Sequence, residues 1–402
     1  MDFGGWKTLT RKPWTLSGEQ DPDLVAEAPS NEIQPSEQCF DDSSNLESPS
    51  SVEVISRDIE DLKQNLGYTN LDSFTYDEMR MATELFNSNL VIGEGGFGVV
   101  YKGIIDESVR SGYNRVEVAI KKLNPMGLQG EKEWLTELNY LARLRHPNLM
   151  KLIGYCCEGT HRLLVYEFMS AGSLEDIMFA PLKKGSIHPL SWGQRMKIAL
   201  DAAKGLQYLH TTERPVIYRD FKSSNILLDE NFNAKLSDFG IAKDAPMGKT
   251  THISTRVVGT EGYTAPDYAQ TGHLRVNSDT YALGVVLLEL ALGLRAIDDR
   301  RASDMRSLPD FANQYMTHKR VMVDLIDPRM ERNYSRKDAV KVINLALQCL
   351  HDSPVMRPPM SKILKILESV QTPEASFQSE SESVTTADPK KTRKSRYKLK
   401  LK

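Results

Sequence analysis

A glycine-rich stretch in the first quarter of the chain is the first place where residue type and spacing suggest chemistry. Glycines stand at positions 93, 95 and 98, and residues without a Cβ let backbone N–H groups approach phosphate oxygens closely. Alone this signal is weak, because such a pattern arises by chance in roughly 0.14 of chains this long, and a structural hairpin is the alternative. The stretch reads Gly93-Glu94-Gly95-Gly96-Phe97-Gly98.

An ordered series of motifs follows the glycine stretch and changes its interpretation. Six of their residues, at roughly 5% frequency each, would coincide with odds of about 10⁻⁸ per register, so chance does not explain the series. The six are Asp220, Lys222, Asn225, Asp238, Phe239 and Gly240. The motifs are Val118-Ala119-Ile120-Lys121, Glu137 in a helical pattern, Tyr218-Arg219-Asp220-Phe221-Lys222-Ser223-Ser224-Asn225, Asp238-Phe239-Gly240 and Ala265-Pro266-Asp267.

The first motifs are expected to lie on β-strands and to be positioned by them. Val and Ile in 90–103 and 116–123 favour extended chain on both sides of the glycine turn. Apolar residues at helical spacing after Gly130 predict one helix beside a small antiparallel sheet. The strand-rich segments 149–156 and 162–168 follow. The apolar residues of the predicted helix are Trp134, Leu138, Leu141 and Leu144.

Beyond Gly172 the pattern is that of long helices. Segment 279–292 is apolar almost all round, which places its helix in a core, and 192–210 has one apolar face. We therefore predict an α+β fold with two lobes, a small β-rich N-lobe with one main helix and a larger α-helical C-lobe. The apolar face of 192–210 comprises Met196, Ala199, Ala203, Leu206 and Leu209.

Charge is distributed unevenly along the 402 residues, although the net charge is only -3. Residues 15–72 hold fourteen Asp/Glu against two Lys/Arg, whereas 390–402 hold eight basic residues and no acidic one. An acidic, Ser/Pro-rich segment cannot bury enough apolar surface to offset chain entropy. We therefore predict that 1–72 and 371–402 are mostly disordered and flank a domain at 73–370.

Several classes of protein are disfavoured. The longest apolar stretch, 282–294, is interrupted by Glu289 and is too short to span a bilayer. The N-terminus lacks the pattern of a secretory signal, and its acidic residues argue against a transit peptide, so we expect the protein on the cytosolic side. The cysteines show no metal-ligand spacing. They are Cys39, Cys156, Cys157 and Cys349.

Residues 90–370 resemble a eukaryotic protein kinase domain, because the signature motifs stand in the family's order on the elements where they belong. A closer resemblance, to the plant receptor-like cytoplasmic kinases of subfamily VII, rests on four segments. These are the lead-in 74–86, the insert 106–115, the Tyr166-Glu167-Phe168-Met169 stretch and the motif at 218–229. The implied divisions are an N-lobe at 87–165, a hinge at 166–172 and a C-lobe at 173–370.

The lead-in segment also carries a short helical pattern. Phe74, Met79, Ala82 and Phe86 could share one helical face, and we expect that face to pack on the domain.

The resemblance implies ATP and Mg²⁺ as cofactors. Lys121 would hold the α and β phosphates and would be kept in place by an ion pair with Glu137. Asp238 would ligate the Mg²⁺ that bridges the phosphates, and Asn225 a second Mg²⁺, since both supply oxygen ligands for a hard cation. The implied ATP-binding residues are Ile92, Gly93, Glu94, Gly95, Gly96, Phe97, Gly98, Val99, Val100, Lys121, Glu137, Tyr166, Glu167 and Met169.

The Tyr166 side chain would close the back of the adenine pocket. Glu167 and Met169 would offer backbone groups to the purine. Asp220 would accept or orient the proton of the substrate hydroxyl. Lys222 resembles the lysine that marks serine/threonine kinases and contacts the γ-phosphate.

Activation by phosphorylation is expected in the segment between Asp238 and Asp267, which offers the hydroxyls of Thr250, Thr251, Ser254, Thr255 and Thr260. Arg219 directly precedes the catalytic Asp220, and an unpaired guanidinium there is a cost unless an anion meets it. Phosphate on Ser254 or Thr255 could be that anion. Thr260, also a candidate for phosphorylation, resembles the threonine that contacts Asp220 and Lys222.

Three positions depart from the family pattern. Tyr218 stands where most kinases have His, and we expect it to stack with Phe239. Asp267 replaces the usual Glu that pairs with a buried arginine, here Arg357, so we expect that pair to shift or lengthen. Asp2 follows Met1, so N-myristoylation is not expected at this N-terminus.

The predicted activity is transfer of the ATP γ-phosphate to serine and threonine hydroxyls of protein substrates, under an upstream receptor kinase and in plant signalling such as defence. A pseudokinase scaffold without turnover is the alternative, although Lys121, Asp220 and Asp238 are all present. The basic run 390–402 favours weak contact with anionic membranes or nuclear import over binding to nucleic acid. We thus expect a cytoplasmic protein, peripheral at the plasma membrane or partly nuclear.

Overall fold

Strand-forming residues build the N-terminal lobe around one sheet in which the expected strands are present. Val118 and Ile120 of the central strand are fully buried, and the other strands pair antiparallel except for a short parallel strand at one edge. The strands are β1 (Asp72–Ser73), β2 (Val91–Gly95), β3 (Gly98–Ile105), β4 (Val116–Leu123), β5 (Leu152–Glu158) and β6 (His161–Glu167), in the order β1-β5-β6-β4-β3-β2.

The computed structural model describes residues 71–95, 98–124, 128–179, 189–246, 248, 250–314 and 323–371. Most of the predicted disordered N-terminal region and the basic tail lie outside the described residues. Gly96 and Phe97, at the tip of the glycine turn, also lie outside them.

The lead-in segment forms α1 (Tyr76–Ala82), which begins with a capping box between Thr75 and Glu78. Met79 and Phe74 are buried as expected. Phe86 also packs against the domain, but from a turn with positive φ angles rather than from the helix. The predicted apolar face therefore exists, although only its central part is helical.

The insert 106–115 holds the lead-in against the sheet. Arg110 donates to the Ser73 carbonyl at 2.9 Å, and its guanidinium lies 4.9 Å from the centroid of the Phe74 ring. The Tyr113 hydroxyl donates to the Asp72 carboxylate. These contacts make β1, α1 and the insert one layer on the N-lobe.

The helix predicted after Gly130, α2 (Leu128–Arg143), starts three residues earlier than expected. Its apolar residues Trp134, Leu138 and Leu141 are buried beside the sheet. This contact places α2 where one of its side chains can reach β4.

The C-terminal lobe is mainly helical, as predicted. The central helix buries every residue from 278 to 292, and it packs closely because a Cβ at Gly284 would lie 2.7 Å from the Cys349 Cβ. Within the described ranges, no helix is long and apolar enough to cross a membrane. The helices are α3 (Leu174–Phe179), α4 (Trp192–Thr211), α5 (Pro266–Thr271), α6 (Val276–Leu292), α7 (Leu308–Asn313), α8 (Arg336–Cys349) and α9 (Met360–Ser369).

Short strands carry the loops that approach the N-lobe. The pairs that matter for the site are β8 with β11 and β12 with β13. The strands are β7 (Gly172–Ser173), β8 (Val216–Ile217), β9 (Ile226–Leu228), β10 (Ala234–Leu236), β11 (Lys243–Asp244), β12 (Ile253–Ser254) and β13 (His273–Leu274).

Glu289 is a carboxyl group buried in α6 beneath the segment that follows β12. The Tyr263 hydroxyl donates to its carboxylate at 2.9 Å, and the Ala296 N–H donates at 3.0 Å. Burial raises the pKa of Glu289 from 4.5 to about 8. The group therefore holds a proton at neutral pH in the folded protein.

We predict that Met79→Ala lowers the free energy of unfolding by about 2–5 kcal/mol, because it empties a fully buried site on α1. Met81, on the same helix, is 52% exposed, and Met81→Ala is the matched control with an effect within about 0.5 kcal/mol. Denaturant and thermal unfolding measure both changes. Equal losses would show that α1 does not dock as described.

We also predict that Glu289 makes stability fall as pH rises. Between pH 4.5 and about 8, Glu289 keeps a proton in the native state that it releases in the unfolded chain. Its contribution to the free energy of unfolding is therefore complete below this window and lost above it. Glu289→Gln should flatten the dependence of Tm on pH across the window. Glu230→Gln, at an exposed position, should leave the wild-type slope, and an unchanged slope in Glu289→Gln would contradict the assignment.

Candidate active site

Asp220 lies in a loop between β8 and β9 that a buried carboxylate of α6 holds in place. Asp279 accepts hydrogen bonds from the backbone N–H groups of Tyr218 at 2.9 Å and Arg219 at 2.7 Å. It also lies 2.8 Å from His210 Nε2. Because Arg219 has a φ of 74°, these bonds stabilise a backbone shape that is otherwise strained.

Sequence reasoning missed Asp279. The available signal was an acidic residue at the start of a helix that is otherwise apolar, since such a residue needs polar partners. Asp279 is only 1% exposed.

Three side chains surround the Asp220 carboxylate. Lys222 Nζ lies 2.8 Å from Oδ2, the Thr260 hydroxyl donates to Oδ1 at 2.6 Å, and Asn225 Nδ2 donates to Oδ2 at 2.9 Å. Lys222 also donates to the Thr260 oxygen at 3.0 Å. Although burial opposes it, the Asp220 charge raises the pKa of Lys222, so an ammonium group stands beside the carboxylate.

Lys121 of β4 connects the two lobes through two carboxylates. Its Nζ lies 2.8 Å from Glu137 of α2 and 3.2 Å from Asp238. Burial opposes the charged form, but the Asp238 and Glu137 charges hold the pKa of Lys121 above its usual range. Burial also works against an ionised Asp238, yet Lys121 and then Lys222 keep the pKa of that carboxyl below its usual value.

The residues next to Asp238 secure its position. Its φ of 56° is unusual for a residue with a side chain, and the following Phe239 is fully buried. The Phe239 ring lies 5.1 Å from the Tyr218 ring, centroid to centroid, and the Tyr218 hydroxyl donates to the Ser237 carbonyl. The expected contact between Tyr218 and Phe239 is therefore present, but the rings are tilted by 52° rather than stacked.

The described part of the glycine stretch belongs to the β2–β3 hairpin, and β3 pairs with the strand that carries Lys121. Residues Gly93 to Gly95 pair with Gly98 to Val100 as two arms of a hairpin. A Cβ at Gly98 would lie 2.1 Å from the Lys122 carbonyl oxygen, so only glycine fits there. Ile92 is buried, and Val99 and Val100 are partly buried.

At the hinge, the Glu167 side chain is bound by other residues, and the side chains of Met169 and Tyr166 are buried. The Glu167 carboxylate accepts from the Lys151 N–H at 2.7 Å and from Lys235 Nζ at 2.8 Å, so its side chain is not directed at a purine. Met169 is buried. Tyr166 is also buried, and burial followed by the neighbouring Glu137 charge raises its pKa well above the usual value.

The candidate phosphorylation residues occupy different surroundings. Ser254 is exposed in β12, and Thr260 is bound at Asp220. Thr255 donates its N–H to the Gly272 carbonyl at 3.0 Å, and its hydroxyl lies 3.3 Å from Lys243 Nζ.

The expectation that the Arg219 guanidinium lacks a partner is wrong. It donates to the Arg256 carbonyl at 2.6 Å and to the Tyr268 hydroxyl at 2.7 Å. Both partners are neutral, so the positive charge itself is not balanced by them.

Asp267 pairs with Arg357, as expected, at 2.5 Å. Of the two expected outcomes, lengthening of the pair is wrong, and a shift in its position stays a prediction. Arg357 also donates to the carbonyls of His351 and Asn277, and these bonds hold the guanidinium where the shorter carboxylate reaches it.

Comparisons with known proteins agree with this geometry. A family model described as "Protein kinase domain" matches residues 86–367. "Probable serine/threonine-protein kinase PBL17" of Arabidopsis thaliana is 56% identical over 315 residues, which cover 78% of this chain and 70% of that protein. "Serine/threonine-protein kinase BIK1" of the same plant is 50% identical over 311 residues, covering 76% and 78%.

A cotton relative extends the comparison. "EPD1-interacting receptor-like cytoplasmic serine/threonine-protein kinase 5A" of Gossypium barbadense is 53% identical over 313 residues, which cover 78% of this chain and 67% of that protein. These matches favour an active kinase over the pseudokinase alternative. The chain belongs to the protein kinase family, among the receptor-like cytoplasmic serine/threonine kinases of plants, as expected for subfamily VII.

Proposed function

We propose that Asp220, Lys222, Asn225, Lys121 and Asp238 carry out transfer of the ATP γ-phosphoryl group to serine or threonine of a protein substrate. The observation that supports this most is the contact of Lys121 with both Glu137 and Asp238. A kinase needs the lysine–glutamate pair and the metal-binding aspartate in place together.

The residues present fit ATP and Mg²⁺. Asp238 offers carboxylate oxygens, and Asn225, whose Nδ2 donates to Asp220, has its amide oxygen left for a cation. Hard cations prefer such oxygen ligands. When bound, Mg²⁺ would neutralise phosphate charge, and Lys121 would add a fixed positive charge at the same phosphates.

Asp220 would orient the attacking hydroxyl and receive its proton. Lys222, 2.8 Å from that carboxylate, is placed to meet charge that develops on the transferring group. Thr260 joins the two side chains, so its hydroxyl positions the pair and need not react itself.

The proposed partners are protein substrates and an upstream receptor kinase, in plant signalling such as defence. One cotton relative is named for interaction with a partner and as a receptor-like cytoplasmic kinase, which supports this context. We place the protein in the cytoplasm, peripheral at the plasma membrane, with the nucleus as a second location.

We predict that Lys121→Met or Asp238→Asn lowers turnover at least about a hundredfold, because each removes preorganised charge from the reacting phosphates. Lys122→Met is the matched control. Lys122 contacts Tyr76 and Phe86 on the other face of β4, so activity should stay close to wild type. Radiolabelled phosphate transfer measures turnover, and thermal unfolding checks the fold. Full turnover in either site variant would refute the assignment.

We predict that phosphate on Thr255 activates the kinase. The Thr255 hydroxyl lies 3.3 Å from Lys243 Nζ, and burial and then the positive charges of Arg219 and Lys132 lower the pKa of that lysine. A phosphate there would form charge-assisted hydrogen bonds.

Ser254→Ala/Thr255→Ala should therefore lose at least about fivefold in turnover, and Ser254→Ala alone should lose less. Mass spectrometry reports whether Ser254 and Thr255 are phosphorylated, and kinetic assays report turnover. Full activity in the unphosphorylated double variant would exclude the switch.

We predict that deletion of 390–402 reduces pelleting with anionic vesicles at low salt. Each Lys or Arg near such a surface contributes about 1 kcal/mol, so four engaged residues correspond to a dissociation constant of about 1 mM. Neutral vesicles are the control. Unchanged pelleting after the deletion would remove the membrane role of this run.

A further inference from the structure

Two polar contacts attach the first half of α2 to β6 of the N-lobe sheet. The indole Nε1 of Trp134 donates to the Leu163 carbonyl at 3.2 Å. About one turn earlier in the helix, Glu131 forms an ion pair with Arg162 at 3.1 Å. Trp134 and Arg162 are each only 3% exposed, and a buried polar group is costly without its partner. The two contacts therefore fix the height and rotation of this part of α2 on the sheet.

The face of α2 that makes these contacts also carries the carboxylate that reaches Lys121. Glu131, Trp134 and Glu137 are spaced by three residues, and such residues are neighbours on one helix face. Glu137 lies 2.8 Å from Lys121 Nζ. Lys121 is paired in the sheet with Leu164, which directly follows the two β6 residues that contact α2. A shift of α2 at Trp134 would therefore move Glu137 relative to Lys121.

The other end of α2 is attached to the C-lobe. The Tyr140 hydroxyl donates to the Asp244 carboxylate of β11 at 3.1 Å, and Arg143 donates to it at 2.8 Å. The helix also packs closely against the stretch that follows Asp238, because a Cβ at Gly240 would lie 3.2 Å from the Glu133 Cβ. Without the contacts to β6, α2 would keep these links to the C-lobe and lose two of its links to the sheet.

We propose that Trp134 and Arg162 are positioning residues for phosphoryl transfer, which act through Glu137 by holding α2 where that carboxylate meets Lys121. The inference rests on the proposed function, in which Lys121 holds the ATP phosphates. Loss of either contact lets α2 leave the sheet, so the Lys121 ammonium is no longer held at the phosphates. A misplacement of about 1 Å can cost about a hundredfold in rate even when the mutation is far from the reacting atoms.

Trp134→Phe tests the first contact, because phenylalanine keeps an aromatic ring and removes the N–H donor. We expect kcat/KM for ATP to fall at least about threefold, while KM for the acceptor, myelin basic protein, stays close to wild type. Trp192→Phe is the matched control. Trp192 is 2% exposed, and within the described ranges its Nε1 has no hydrogen-bond partner, so its replacement should leave kcat/KM close to wild type.

Glu131→Gln tests the second contact. It leaves intact the hydrogen bonds that Arg162 donates to the carbonyls of Gly159 and His161, and it should lower the same kcat/KM in the same direction. Glu117→Gln is the matched control, because it breaks an ion pair with Lys102 between β3 and β4. This control should keep the wild-type value.

A double-mutant cycle with Glu137→Gln separates positioning from a merely structural role. Once Glu137 is replaced, Trp134→Phe and Glu131→Gln should each change kcat/KM for ATP by less than about twofold, because the group through which they act is absent. The same fold-loss in both backgrounds would overturn the inference. Equal activity of Trp134→Phe and Trp192→Phe in the wild-type background would also overturn it.

Hydrogen exchange in 128–143 gives a readout that does not depend on turnover. We expect faster exchange in Trp134→Phe than in Trp192→Phe, and equal exchange would contradict the attachment of α2 through Trp134. Absence of any transfer by the wild-type chain, to the acceptor or to itself, would contradict the proposed function instead.

Discussion

One partly buried ammonium group, that of Lys121, brings the two lobes into a single site. It belongs to the N-lobe sheet, one of its carboxylate partners lies on α2 and the other in the C-lobe. Removing charges even partly from water is costly unless they meet opposite charges, and loss of one partner leaves the others uncompensated. The position of α2, the contact between the lobes and the conformation at Asp238 are therefore linked, so a change in any one of them alters the other two.

The C-lobe supplies the complementary constraint through α6. This helix is apolar on all sides and so has a fixed place in the core, yet Asp279 at its start and Glu289 near its end are buried. Asp279 fixes the loop that carries Asp220, and Glu289 binds Tyr263 in the segment that follows. A rigid apolar core element thus determines the geometry of the polar groups on both sides of the site.

Local patterns in the sequence predicted the elements well, because each depends on neighbouring residues. The strand expected at 116–123 is β4, and the helix expected to be apolar all round is α6. Contacts between distant residues could not be predicted this way. The neutral partners of Arg219 and the short Asp267–Arg357 pair depend on how whole segments pack, and the catalytic roles themselves rest on resemblance.

The two residues of β1 have a consequence for the outer edge of the N-lobe sheet. In the strand order, β1 lies beside β5 at the edge of the sheet. Without β1, the backbone N–H and C=O groups on that side of β5 would face outward unpaired. An uncovered edge is a template for pairing with another chain. The family match begins at residue 86, after this cover. The lead-in therefore covers part of a sheet edge that would otherwise be open to another chain, and it does so from outside the segment that the family model matches.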